Sequence, residues 1–132
     1  MIVKDEERYL GDCLSSVKEF VDEMVIVDTG STDSTVEIAK AAGARVEYFN
    51  WSGDFAPARN AAMNFVTGDW ILVLDADEKL CSKCIPELQH LMGLDNILLI
   101  NLLRYECDSK LSPYSLVSRL FRRHPDIKWS RP

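Results

Sequence analysis

Residues 24–49 read MVIVDTGSTDSTVEIAKAAGARVEYF, and that stretch decides the fold. An unalternated, β-branched apolar run over 24–27 ends at Asp28 and gives way to the polar turn Thr29-Gly30-Ser31-Thr32-Asp33. A helix follows over about 34–42, with Ser34 and Glu37 spaced as a capping box and Gly43 placed as its stop. A further strand is expected over 45–49. Two such strands joined by a helix must lie parallel, with a right-handed crossover. Outward from this unit the pattern repeats. On the amino side, residues 1–3 are apolar and stop at Lys4-Asp5-Glu6-Glu7; a helix then carries Tyr9, Leu10, Cys13, Leu14, Val17, Phe20 and Val21 on one face. On the carboxyl side, the loop Trp51-Ser52-Gly53-Asp54 leads into a helix bracketed by Pro57 and Gly68. The most apolar strand, 70–74, runs into Asp75-Ala76-Asp77-Glu78; a helix over 86–92 and a strand over 96–104 come next, with a last apolar run at 117–121. The order βαβαβαβ predicts an α/β fold, a mostly parallel sheet with helices on both faces. Both ends read as cut. The first strand has about half the usual ~5–6 residues, and the chain stops at Ser130-Arg131-Pro132 with no closing element.

Composition narrows the function classes. With 132 residues and 47% apolar side chains, the chain is one globular domain with a real core. It carries 15 Lys and Arg against 21 Asp and Glu, a net charge of −6. That balance argues against gripping nucleic acid or anionic lipid through bulk charge. No apolar run nears the ~20 residues of a transmembrane segment, and the acidic start does not read as a signal peptide. A cytoplasmic domain is expected, at most peripheral to the membrane's cytoplasmic face. The four cysteines (Cys13, Cys81, Cys84 and Cys107) form one C-x-x-C pair without a second pair to close a zinc site, and read as ordinary reduced thiols.

In parallel sheets, ligands bind beyond the carboxyl ends of the strands. Three polar clusters fall there: Lys4-Asp5-Glu6, Asp28 with its Thr-Gly-Ser loop, and Asp75-Ala76-Asp77. Alternate residues point the same way at a strand end, so Asp75 and Asp77 can face one cleft while Ala76 faces the protein. Two hard carboxylates at that spacing suit Mg²⁺ or Mn²⁺. Taken alone, the pair serves as readily to end a strand and cap the next helix. The Asp28 loop reads equally as a phosphate cradle or a plain turn with Asx hydrogen bonds. Lys4, Arg59 and Lys79 are the basic residues expected near the cleft. A nucleotidyltransferase, another fold pairing a nucleotide site with metal-binding acids, normally opens with a Gly-rich basic loop, and Lys4-Asp5-Glu6-Glu7 is unlike one.

Together the segments MIVKDEERYLGDCLSSV, VIVDTGSTDSTVEIAKAAGARV, W-x-x-DFAPARNAA, DWILVLDADE and RLFRRHPDIKW resemble the family 2 glycosyltransferases, of Rossmann-like GT-A fold. Within the family they are most similar to a bacterial branch sometimes fused to tetratricopeptide repeats. The resemblance spans nearly the whole chain. It implies transfer of a sugar from a nucleotide-diphosphate donor, a UDP-sugar by preference, usually with Mg²⁺ or Mn²⁺. The acceptor would be a polysaccharide, lipid or peptide, and cell-surface polysaccharide synthesis is one setting for it. Position by position, Asp28 would contact the nucleobase, displacing the phosphate-cradle reading. Val3 and Glu6 would border the nucleoside pocket, and Arg59 would lie near the nucleotide. Asp75 would stand close to the ribose and metal, and Asp77 would be the main metal ligand. The resemblance also implies a catalytic base in a second half of the fold. Glu106 and Asp108 are the acids available there, and no motif selects either. The chain thus reads as mainly the donor-binding half of one domain, and a binding-only module lacking the acceptor half is the alternative.

Overall fold

The computed structural model describes residues 1–106 and 114–130. β1 (Ile2–Val3), β2 (Val25–Asp28) and β3 (Arg45–Tyr48) form a parallel sheet with β2 in the middle. Its register pairs Val3 with Asp28 and Asp28 with Tyr48. α1 (Leu10–Val17) and α2 (Thr35–Ala41) cover one face, where Leu10, Leu14 and Ala39 pack with Val3 and Ile26. Val27, one position on from Ile26, points to the opposite face, and α3 (Phe55–Met63) packs against β1 and β2. This is the expected α/β layering.

β4 (Trp70–Leu72) belongs to a second sheet. A 3₁₀ turn (Ser82–Cys84) leads into α4 (Ile85–Met92), then β5 (Leu99–Tyr105) and β6 (Tyr114–Arg122). The order is β4-β6-β5, antiparallel throughout. The eight residues between Tyr105 and Tyr114 are too few for a parallel crossover, so β5 and β6 can only pair as a hairpin. α1 joins the two sheets. Its Leu10 and Leu14 pack toward β1 and β2, whereas Cys13 and Val17, a helical step round, pack with Leu74, Leu88, Ile100 and Leu120.

Local details depart from expectation in three places, one being that α3 stops at Met63, short of Gly68. Ser34 makes no capping bond at the start of α2. The Ser34 amide instead donates to the Glu7 carboxylate and the Thr35 amide to Asp33, so the cap comes from outside the helix and from the turn before it. Gly43 does stop α2, at φ +86°, a left-handed conformation that costs glycine little. α1 ends at Val17 rather than Val21; Phe20 and Val21 close a last turn on the Val17 carbonyl. No helix among the described residues is long and apolar enough to cross a membrane.

Candidate functional site

The carboxyl end of β1 carries Lys4-Asp5-Glu6-Glu7, and that of β2 carries residues 28–33; hydrogen bonds lock the two loops together. Asp5 sits at φ +54°, a region Asp tolerates better than most residues, and its carboxylate accepts from the Thr32 amide at 2.7 Å. The Asp5 amide donates to Ser31 Oγ, the Glu7 amide to Asp33, and the Ser34 amide to Glu7. Thr35, fully buried, accepts from the Glu6 amide at 2.7 Å and donates its hydroxyl to Asp33. Some lost hydration raises the Asp33 carboxyl, but the bonds from Thr35 and from the Glu7 amide outweigh it and hold Asp33 below its ordinary value.

Asp28 is buried at the floor of this junction. Its carboxylate accepts from the amides of Gly30 and Ser31 at 3.0 and 3.1 Å, so the turn reading of the loop is realised in its backbone. Val3 is buried beside it, and its carbonyl accepts both the amide and the hydroxyl of Thr29 at 3.0 Å.

The loop after β4 is built differently. Ala76 is buried in the cluster with Val3 and Leu10, so Asp75 and Asp77 stand on the other side, as the alternation requires. Asp75 takes Arg119 on one oxygen at 2.8 Å and Arg59 on the other at 3.4 Å. Arg119 also reaches Glu78 at 2.7 Å, and Glu78 accepts from the Asp75 amide at 3.0 Å. Burial lowers the Arg119 guanidinium, but its bonds to Asp75 and Glu78 raise it further above its ordinary value. Arg59 lies over the Phe55 ring at 5.7 Å, and its helix is capped by Asp54, which accepts from the Ala56 amide. Asp77 is exposed, with no hydrogen bond or ion pair among the described residues.

Glu6 connects the two loops. Partial burial raises its carboxyl above the ordinary value, and the negative fields of Asp77, Asp33, Asp5 and Asp75 add in the same direction. Of the residues singled out from sequence, the structure therefore joins Arg59 to Asp75, sets Glu6 within the field of both aspartates, and pairs Val3 with Asp28 in the sheet. Lys79 does not join them; it pairs with Asp12 at 2.6 Å on the outer side of α1. Glu106 is held by Arg104 at 2.6 Å, and Asp108 and Cys107 lie outside the described residues. Arg119 and Glu78 are the partners that sequence reasoning missed. Cys13 is buried, and burial first, then Glu78, pushes its thiol up to about 11, as suits an inert thiol.

No cluster of three metal-ligating side chains exists among the described residues. Asp77 nonetheless fits a hard divalent cation. Mg²⁺ and similar ions keep several waters, take one or two carboxylates, and fill the remaining positions with phosphate oxygens.

The chain matches the family model described as "Glycosyl transferase family 2" over residues 1–131. It is 48% identical to a TPR repeat-containing protein of Synechococcus elongatus over 132 residues, all of this chain and 33% of that protein. An uncharacterized glycosyltransferase of Rickettsia typhi is 36% identical over 96 residues, 73% of this chain and 32% of that protein. The chain thus spans about a third of the length of these curated relatives. Among solved structures, S. aureus TarS 1–349 superposes with a TM-score of 0.65 at 19% identity, covering 92% of this chain and 45% of that one. The M. tuberculosis glucosyl-3-phosphoglycerate synthase in complex with Mn²⁺, UDP and glucosyl-3-phosphoglycerate gives 0.60 at 23% identity, over 74% of this chain and 40% of that one. At such identities these structures establish the fold, which is GT-A.

Proposed function

Because the chain belongs to glycosyl transferase family 2, we propose that its 132 residues form one domain that binds the donor of a metal-dependent glycosyltransferase. The sugar leaves a nucleoside diphosphate, UDP in this reading, and passes with inversion to a polysaccharide, lipid or peptide acceptor. One observation supports this above the rest. At the end of β4, Asp75 and Glu78 are neutralised by guanidinium groups, while Asp77 stays exposed and unpaired among the described residues. A lone free carboxylate beside neutralised ones attracts a cation and leaves room for phosphate oxygens. Mg²⁺ or Mn²⁺ held there supplies Lewis-acid polarisation of the departing diphosphate. The chain's own groups do the remaining work. Val3, Glu6 and Asp28 border the nucleoside, and Arg59 and Asp75 lie toward the ribose and phosphates. The solved synthase that carries both UDP and Mn²⁺ supports the same donor chemistry here.

A binding-only module lacking the acceptor half is the second reading. Calorimetric titration of UDP, GDP and dTDP, each with and without Mn²⁺, tests the donor reading. UDP binding that strengthens at least tenfold with Mn²⁺ is the expected result. Equal, metal-independent binding of all three nucleotides, or none, overturns it. Transfer from a UDP-sugar to any acceptor removes the binding-only reading.

A further inference from the structure

Asp75-Ala76-Asp77-Glu78 forms a β-turn, closed by the Glu78 amide donating to the Asp75 carbonyl at 3.0 Å. Ala76 takes the second position, buried, and Asp77 the third, exposed at the tip. One backbone bond by itself leaves the direction of a tip residue loosely set. Here further bonds run between the two ends of the turn. The Asp75 amide donates to Glu78 Oε2 at 3.0 Å, so Glu78 reaches back over three residues as the acid of a capping box does. Arg119 Nη2 donates to Asp75 Oδ2 at 2.8 Å and to Glu78 Oε1 at 2.7 Å, and this one nitrogen staples the first residue of the turn to the last. The Arg119 carbonyl accepts from the Val73 amide at 2.8 Å, which ties the staple to the strand end that carries the turn.

Stability is a poor reason for such a staple. Glu78 and Arg119 are 16% and 14% exposed, and a charge pair that far out of water gains little over apolar side chains of the same volume. Arg119 Nε is in addition buried without a hydrogen-bond partner among the described residues, which costs rather than stabilises. What the network does supply is direction. With both ends of the turn fixed and Ala76 sunk in the core, the Asp77 side chain projects from a rigid tip. Arg59 meets the other oxygen of Asp75 at only 3.4 Å, so it is the looser partner and the staple does not depend on it.

We infer that Glu78 and Arg119 are positioning residues of the donor site: by clamping the two ends of this turn they aim the Asp77 carboxylate at the divalent cation. This rests on the reading of Asp77 as the metal ligand, and adds to it two residues that touch neither metal nor nucleotide. Charge and position predict different outcomes for them. Removing the Arg119 cation leaves Asp77 in a more negative field, which by charge alone strengthens cation binding. Loss of the staple weakens it. Glu78→Asp keeps every charge and withdraws the carboxylate by one methylene from the Asp75 amide and from Arg119, so charge alone predicts no change.

The test measures the gain in UDP affinity on adding Mn²⁺, by calorimetry, for the parent chain, Glu78→Asp, Arg119→Gln and Arg119→Lys. Circular dichroism confirms folding, and amide exchange is followed in the metal-free proteins. Glu78→Asp and Arg119→Gln should each lower the Mn²⁺-dependent gain about tenfold, as loss of a partner that orients a metal ligand commonly does. In Glu78→Asp, exchange should quicken at 76–78 and stay as in the parent in β2, while UDP affinity without metal holds. Arg119→Lys should keep most of the gain, because an ammonium also bridges two carboxylates from one nitrogen. An unchanged gain in Glu78→Asp, or a raised gain in Arg119→Gln, overturns the inference and leaves the pair acting as charges alone. Should Arg119→Gln not fold, Glu78→Asp decides. A parent without any Mn²⁺ gain overturns the donor reading and this inference with it, whereas variants that keep a gain the parent shows overturn the inference alone.

Discussion

The two acidic loops at the ends of β2 and β4 use their carboxylates in opposite ways. After β2, Asp28 and Asp33 accept backbone amides of their own turn, and Asp5 and Glu7 accept amides of that turn from the facing loop. After β4, Asp75 and Glu78 face the guanidinium groups of Arg59 and Arg119 instead. A backbone amide is fixed once the chain is folded, so the first loop is a scaffold whose charges are spent on shape. A guanidinium is a movable cation on a long stem. The second loop is therefore an electrostatic balance that an arriving anion or cation can reset, and Asp77 is the charge it leaves free.

If the contrast holds, the largest effect belongs to the balance. Arg119 is 14% exposed and neutralises two carboxylates at once. Arg119→Leu leaves Asp75 only the longer pair with Arg59 at 3.4 Å and Glu78 only Arg104 at 3.9 Å, in a half-buried place. Breaking buried pairs costs about 3–5 kcal/mol; Asp75 is 43% exposed, so about 2–4 kcal/mol is expected in urea denaturation. A loss under 1 kcal/mol would mean that water already screens this network.

The scaffold loop is expected to respond next. Thr35→Val preserves shape but removes the hydroxyl that accepts from the Glu6 amide and donates to Asp33. Leaving a buried amide unsatisfied costs about 1–3 kcal/mol. Faster amide exchange should appear in both loops, 5–7 and 31–35, because the hydroxyl links them. Change confined to α2 would reduce Thr35 to a helix residue.

Much of this architecture is legible in the sequence, because it follows from local rules. The βαβ unit over 24–49, the Gly43 stop, the Pro57 helix start and the burial of Ala76 between two aspartates all come from spacing within a few residues. The antiparallel β5–β6 pair is less so. Its strands are apolar enough to pass for parallel ones, and only the shortness of the connection rules that out. Arg119 is not legible from local spacing as a site residue. It meets Asp75 across a sequence separation of 44, and nothing in Ser118-Arg119-Leu120 distinguishes a buried ion-pair partner from a surface cation on an edge strand. The sole signal was its place at the head of the RLFRRHPDIKW segment.

Asp77→Asn sharpens the comparison from the ligand side. The side chain is exposed, so stability and the far-ultraviolet circular dichroism spectrum should change little, within about 0.5 kcal/mol. The Mn²⁺-dependent gain in UDP affinity should fall at least tenfold, about 1.4 kcal/mol. An unfolded variant would assign Asp77 the plain capping role. A folded variant with the full Mn²⁺ gain would remove it as the metal ligand.

The smallest effect comes from Glu6, which belongs to both loops. Its amide is tied to Thr35, while its carboxyl lies in the field of Asp77 and Asp75. Burial and those fields raise the folded-state value above the unfolded one, so an ionised Glu6 opposes folding. Below about pH 4.5, near its ordinary value, Glu6 is protonated in both states, and Glu6→Gln should be neutral there. As pH rises through the folded value, the parent must charge Glu6 beside four other carboxylates and the variant need not. Glu6→Gln should therefore be the more stable protein at pH 7, by less than about 1 kcal/mol for a partly exposed group, with the two stability curves converging toward pH 4. The same substitution removes one negative charge from around Asp77, so metal-free UDP should bind slightly better and the Mn²⁺-dependent gain should shrink slightly. A variant less stable at every pH would place Glu6 in the scaffold with Asp33. Stability rising with pH while nucleotide binding stays unchanged would separate Glu6 from the donor site and leave the second loop to act alone.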